Sequence, residues 1–173
     1  SVVVVHPDGT GAREIAPPGI RWPQRPALSP DGTRVAYFAW PEVQGDDGPG
    51  YEIYVSPTDG TGAAIDLSRN GGNDWLPVWS PDGTRIAFLS SAPGLSYGPG
   101  ALQVVNADGT GRIILAPADM FVGGLAWSPD GARIAYTGVV DGQEHVLVAN
   151  ADGSGRTDVT PGMESSHPTW TGR

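Results

Sequence analysis

The sequence predicts an all-β fold of repeated four-stranded units, on three observations. One repeat reads LSPDGTRVAYFA from Leu28, WSPDGTRIAFLS from Trp79 and WSPDGARIAYTG from Trp127. A second interleaves with it: VVVVHPDGTGAREIA from Val2, IYVSPTDGTGAAIDL from Ile53, LQVVNADGTGRIILA from Leu102 and VLVANADGSGRTDVT from Val146. The third is negative, since no stretch of a dozen residues free of Gly and Pro shows the 3.6-residue period of an amphipathic helix. The Asp-Gly pairs of the second repeat begin at 8, 59, 108 and 152, in steps of 51, 49 and 44 residues. A period of roughly 40–50 residues carrying four strands is that of a β-propeller blade.

In each S-P-D-G, proline presets φ at the second position, aspartate bonds its own backbone and glycine accepts the left-handed conformation that follows. The run after it, such as Arg85-Ile86-Ala87-Phe88-Leu89, is apolar without polar alternation, as in a strand covered on both faces. The D-G-[TS]-G of the second repeat sits between an apolar and a more polar strand, a hairpin with glycine at the positive-φ position. Taken in order, the single domain spanning 1–173 begins with an outer hairpin at 2–15. Blades follow at about 26–67, 77–115 and 125–159, and a terminal inner strand at 168–171 closes the chain. The expected object is a half-ring or partial propeller with split terminal strands. Trp79, Trp127 and Trp170 hold one register, with Leu28 in that place in the first blade, and are expected to wedge between blades.

Composition narrows the function. The chain has 173 residues, 19 acidic against 10 basic, for a net charge of −9. That balance repels nucleic acid and anionic membrane surfaces. Every basic residue is arginine, which leaves no lysine chemistry, and cysteine is absent, so there is neither a disulfide framework nor a thiolate site. The apolar run Val2 to Val5 is far too short for a membrane span. The chain opens at Ser1 and not at methionine, as a processed or trimmed product does, and a removed export signal stays open.

W-S-P-D-G-x-R-I-A-[FY] followed by N-A-D-G-[TS]-G resembles the WD-like propeller repeat of the periplasmic TolB protein, which also occurs in propellers attached to prolyl-oligopeptidase-type enzymes. The resemblance covers the whole chain and departs from the family at Leu28, at the terminal W-T-G-R and in the number of blades. It implies a propeller fold, a non-catalytic binding role and a periplasmic or extracellular setting. The motif residues themselves are turns and core, so function has to be sought elsewhere.

Antiparallel strands put the two tight turns of each blade on one face of the disc and the longer connections on the other. Variable loops on a rigid scaffold are where function concentrates. The candidate binding face therefore comprises Trp22, Arg25, Trp40, Asp46, Asp47, Asp74, Trp75, Tyr97, Phe121, Glu144 and His167. The Asp of each S-P-D-G and the Arg three residues on are placed to pair across their hairpin.

Other chemistry is expected to be absent. Gly94-Leu95-Ser96-Tyr97-Gly98 matches the G-x-S-x-G nucleophile elbow, but Pro99-Gly100 and another strand follow where the motif needs a helix. The G-T-G turns lack the third glycine and helix of a dinucleotide fingerprint. Asp108 and Asp152 lack the ligand run of a calcium loop. His6, His145 and His167 lie in different repeats without metal-ligand spacing. The expected function is a non-catalytic binding scaffold with no cofactor, partnered by itself as a homodimer and by a protein or peptide on the long-loop face. Alternatives are a fragment of the accessory propeller of a prolyl-oligopeptidase-type peptidase, or a purely structural propeller fragment. Ser96 is expected to be idle: a fluorophosphonate probe should leave it unlabelled, and covalent labelling would refute this.

Overall fold

The computed structural model describes residues 1–15, 17–42, 50–92, 100–117 and 123–171. These residues contain fourteen strands and no helix. A two-stranded hairpin, β1 (Val2–Val4) and β2 (Arg13–Ile15), precedes three four-stranded antiparallel blades in simple meander order. The first blade is β3 (Ile20–Leu28), β4 (Arg34–Pro41), β5 (Glu52–Pro57) and β6 (Ile65–Asp66). The second is β7 (Asp74–Trp79), β8 (Arg85–Ser90), β9 (Ala101–Asn106) and β10 (Ile113–Ala116). The third is β11 (Gly123–Trp127), β12 (Arg133–Val140), β13 (Gln143–Asn150) and β14 (Thr157–Asp158).

The S-P-D-G turn is built as its residue types require. In the first blade the Gly32 amide donates to Ser29 O at 2.8 Å, and Gly32 takes φ +70°. The Ser29 hydroxyl donates to Asp31 Oδ1 at 2.6 Å and accepts from the Arg34 amide at 2.9 Å. The same pattern recurs at Ser80 and Ser128. The serine hydroxyl foremost, then the Thr33 amide, holds the Asp31 carboxyl down to about 2. Both tight turns of a blade lie at one end: Thr58, Ala107 and Ala151 donate their amides to Thr33, Thr84 and Ala132 of the same blade's other turn.

Blades join through one recurring contact. The Trp79 indole N–H donates to Ala27 O of the preceding blade at 2.9 Å, and the Arg34 guanidinium lies over the Trp79 ring, 4.8 Å from its centroid. Arg34 Nη2 also reaches Gly83 O in the next blade's turn at 2.7 Å. Trp127, Val78 O, Arg85 and Gly131 O repeat this at the next junction. The arginine thus goes to the neighbouring blade, and the expected pairing with the turn aspartate does not form. That aspartate already accepts from local hydroxyl and amide donors, whereas the aromatic face and carbonyl ahead would otherwise stay unpaired.

Apolar burial lies between blades. Ala36, Phe38, Ile53, Val55 and Leu67 of the first blade meet Trp79, Ile86, Phe88 and Val105 of the second. Ala87, Leu89, Leu102, Val104 and Leu115 of the second meet Trp127, Ile134, Tyr136 and Leu147 of the third. The β1–β2 hairpin adds Val2 and Ile15 against Val35, Tyr37 and Tyr54. Leu28, with no inner strand before it, is exposed.

Several boundaries differ from the sequence reading. The first and second blades start at Ile20 and Asp74, not near 26 and 77, so Trp22, Arg25, Asp74 and Trp75 lie on strands and not in loops. Proline made the first two inner strands look broken, but each is bulged there, and the third is bulged at its glycines: pairing shifts between Gln24 and Ala27, Trp75 and Val78, and Gly123 and Leu125. Arg25, Leu76 and Gly124 take positive φ at these bulges, and a bulge is where a strand accommodates proline. The expected long loop from Val140 to Glu144 is a two-residue Asp141-Gly142 turn, both at positive φ, which puts Glu144 on β13. Residues 168–171 form no strand. Trp170 nevertheless keeps its place, donating to Ala126 O at 2.9 Å under Arg133.

Trp79 is 7% exposed. Trp79→Ala should cost about 3–5 kcal/mol in urea unfolding, and Trp79→Phe, which keeps bulk but orphans Ala27 O, about 1–3 kcal/mol. Trp75 packs at both junctions and against Gly100, so Trp75→Ala should also cost more than a surface change. A cost below about 0.5 kcal/mol would contradict its placement on β7.

Candidate functional site

Seven of the eleven sequence-chosen residues fall among the described ones. Trp22 is 63% exposed on β3 at φ +49°, and Arg25, three residues further along the same bulged strand, is exposed too. Trp40 ends β4 with its ring edge-on to Tyr51 at 5.4 Å, and Tyr51 also meets Phe38 edge-on. Nearby, Arg21 forms an exposed ion pair with Glu42. Glu144 is half-buried, and its carbonyl accepts from the Ser165 amide at 2.7 Å. His167 is exposed at φ +57°, its amide donating to Thr137 Oγ1 at 3.0 Å. Asp46, Asp47, Tyr97, Phe121 and Ser96 lie outside the described residues.

Asp74 belongs to a polar network that sequence reasoning missed. Glu52, on the otherwise apolar β5, is 2% exposed and Asp74 is fully buried. Glu52 accepts from the Ser68 hydroxyl and, through Oε1, from the Gly71 amide at 3.2 Å. Asp74 Oδ1 accepts from Asn70 Nδ2 at 3.0 Å, and the same amide nitrogen donates to Ser90 Oγ at 2.8 Å. No amide or hydroxyl among the described residues donates to Asp74 Oδ2. Burial foremost, with Asp74 and Asp66 close by, pushes the Glu52 carboxyl up to about 8. Glu52 therefore keeps its proton at neutral pH, and that proton supplies Asp74 with the missing donor.

Counting back seven residues from each Asp-Gly aspartate gives Glu52, Ala101 and His145. His145 stands in the third blade where Glu52 stands in the first, and it too is buried. Its Nδ1 lies 2.7 Å from Asp158 Oδ2, and this contact foremost holds the Asp158 carboxyl below its ordinary value. His145 Nε2 has no hydrogen-bond partner among the described residues. No group of three metal-ligating side chains occurs among the described residues.

An open concavity lies on the forward side of the third blade, the side turned towards where a next blade would lie. A groove of about 530 Å³ runs there between Val146, Val148, Val159 and the Trp170 segment.

Blades of four antiparallel strands, packed face to face in chain order, define an arc of a β-propeller. A TolB-type protein of Agrobacterium tumefaciens superposes with a TM-score of 0.68 at 19% identity, over 91% of this chain and 60% of that one. Oligogalacturonate lyase of Vibrio parahaemolyticus gives 0.71 at 16%, over 95% and 49%. A puromycin-hydrolysing peptidase of Mycobacterium tuberculosis gives 0.65 at 20%, over 95% and 31%. In sequence, Dipeptidyl-peptidase 5 of Porphyromonas gingivalis is 35% identical over 69 residues, 39% of this chain and 10% of that protein. No protein-family model matches. The chain thus spans less than two thirds of each, and the shared property is the propeller fold.

The Glu52 proton makes folding pH-dependent. An unfolded glutamate releases it near 4.5, whereas the folded chain holds it to about 8. Its contribution is complete below pH 4.5 and is lost as pH rises towards 8. Glu52→Gln, which donates to Asp74 at any pH, should flatten the fall in melting temperature across that range. An unchanged slope would contradict the shared proton.

Proposed function

We propose that this chain is a non-catalytic β-propeller scaffold that associates with itself to cover its open blade faces and offers its long-loop rim to a protein or peptide. The observation that carries this is the uncovered forward side of the third blade. The same side of the first two blades is sealed by apolar packing, whereas here Val159 is 47% exposed beside an open groove. Apolar surface of that kind marks an interaction site. The rim has the exposed Trp22, an aromatic able to anchor a partner at little entropic cost.

A second reading is the accessory propeller of a prolyl-oligopeptidase-type peptidase, a ring that screens substrates for a hydrolase domain. It is favoured by the identity with Dipeptidyl-peptidase 5 and by the likeness to a peptidase structure. An α/β-hydrolase half encoded directly after Arg173 would support it.

Light scattering behind a sizing column separates self-association from a solitary arc. The expected particle is about twice the chain mass of 17.9 kDa, and a monodisperse particle at the single-chain mass would overturn the self-association.

A further inference from the structure

The uncovered forward side of the third blade has its complement elsewhere in the same molecule. β1 buries Val2 against the first blade but leaves Val3 60% and Val5 49% exposed on its other side. Measured from the Asp-Gly aspartate, Val3 stands where Tyr54, Gln103 and Leu147 stand, and Val5 where Ser56, Val105 and Ala149 stand. All six of those are buried. Leu147 and Ala149 show why: they pack backward onto Leu102 and Val104 of the blade before them.

The receiving side follows the same rule. Val146 and Val148 correspond to Ile53 and Val55 in the first blade and to Leu102 and Val104 in the second, every one of them buried beneath the next blade. Val159, whose amide donates to Val146 O as that of Leu67 does to Ile53 O, takes the place of Leu67, and by the Asp-Gly count that of Leu115 and Ile15, again all buried. Only on the third blade are the three half-open or exposed, and they line the groove.

We propose that the β1–β2 hairpin of a second copy docks on this groove, with Val3 and Val5 over Val146 and Val148, so that copies join head to tail. This rests on the self-association proposed above and specifies its contact. The occupant is argued from continuity: β13 and β14 would receive from another chain the packing that the equivalent strands of the first two blades receive within the chain. Trp170 already fills the inner-strand place of the next blade through Ala126 O and Arg133. The hairpin supplies two outer strands, so both chains contribute to one composite blade. Because the contact is heterologous, two copies facing opposite ways around a common axis make it twice and leave neither face open.

The chain has no cysteine, which permits a direct test by a short bis-maleimide. Val3→Cys and Val148→Cys proteins, mixed, should cross-link to a two-chain species, and neither alone should. Val5→Asp, a change at an exposed position, should raise the dimer dissociation constant on the order of tenfold or more without lowering the melting temperature of the dissociated chain. A dimer that gives no mixed cross-link and tolerates Val5→Asp would overturn head-to-tail docking while leaving self-association intact. Cross-linking of either single variant with itself would likewise overturn it, in favour of a symmetric contact. A wild-type monomer would overturn both.

Discussion

The stack depends on the arginine that follows each S-P-D-G turn. Arg34 and Arg85 each lie on a tryptophan of the next blade and donate to a carbonyl in that blade's turn. A cation over an aromatic face contributes about 0.5–2 kcal/mol, and a hydrogen bond from a charged donor about 1.5–3 kcal/mol. Neither rivals the apolar area buried between blades, but both are directional where the hydrophobic effect is not. The serine and aspartate of the turn fix the backbone from which the arginine departs. A blade therefore completes its turn chemistry only when its neighbour is present, as expected of repeats whose stability lies in nearest-neighbour interfaces.

The inner strands show what that clamp has to overcome. Arg25, Leu76 and His167 each hold a positive φ three residues before Leu28, Trp79 and Trp170, and Gly124 does so before Trp127. For residues with a Cβ this costs roughly 1–2 kcal/mol each. Three of the four precede a proline, which cannot donate to a ladder and disfavours the helical region behind it. The bulge reconciles proline with an inner strand, and the indole anchored three residues later holds the re-aimed chain against the blade before it. Gly124 fits here for a second reason, since a Cβ would lie 3.0 Å from His167 Cα.

Blade number, blade order and the common end of the tight turns were legible because glycine and aspartate mark each turn and the apolar runs mark each covered strand. The start of each blade was not. Pro26 and Pro77 read as breaks, although a further repeat, R-P-A-L, L-P-V-W and H-P-T-W, was present in the sequence and encodes the bulge. The loop placement of the candidate residues was inferred from those same boundaries, and it shifted with them. Asp74 and Trp75 moved into a strand, and Glu144 moved with them once Asp141-Gly142 closed a two-residue turn. Glu52 and His145 went unnoticed for a different reason: each sits at the edge of an apolar run, and its shared place is visible only when the repeats are aligned on their Asp-Gly pairs.

That alignment also separates the junctions physically. The position seven before the Asp-Gly aspartate is Glu52 in the first blade, Ala101 in the second and His145 in the third. The second blade meets the third with alanine there and no titratable side chain at that point. The first meets the second through a proton held between two carboxyl groups, and the third holds an imidazole with one nitrogen unsatisfied. A buried polar group is tolerated only while its partners are in place, and an incomplete one costs about 1–3 kcal/mol. The apolar junction can therefore remain sealed over a wide range of pH. The junction before it depends on the Glu52 proton, so the response of this arc to pH is concentrated between its first and second blades rather than shared equally among its junctions.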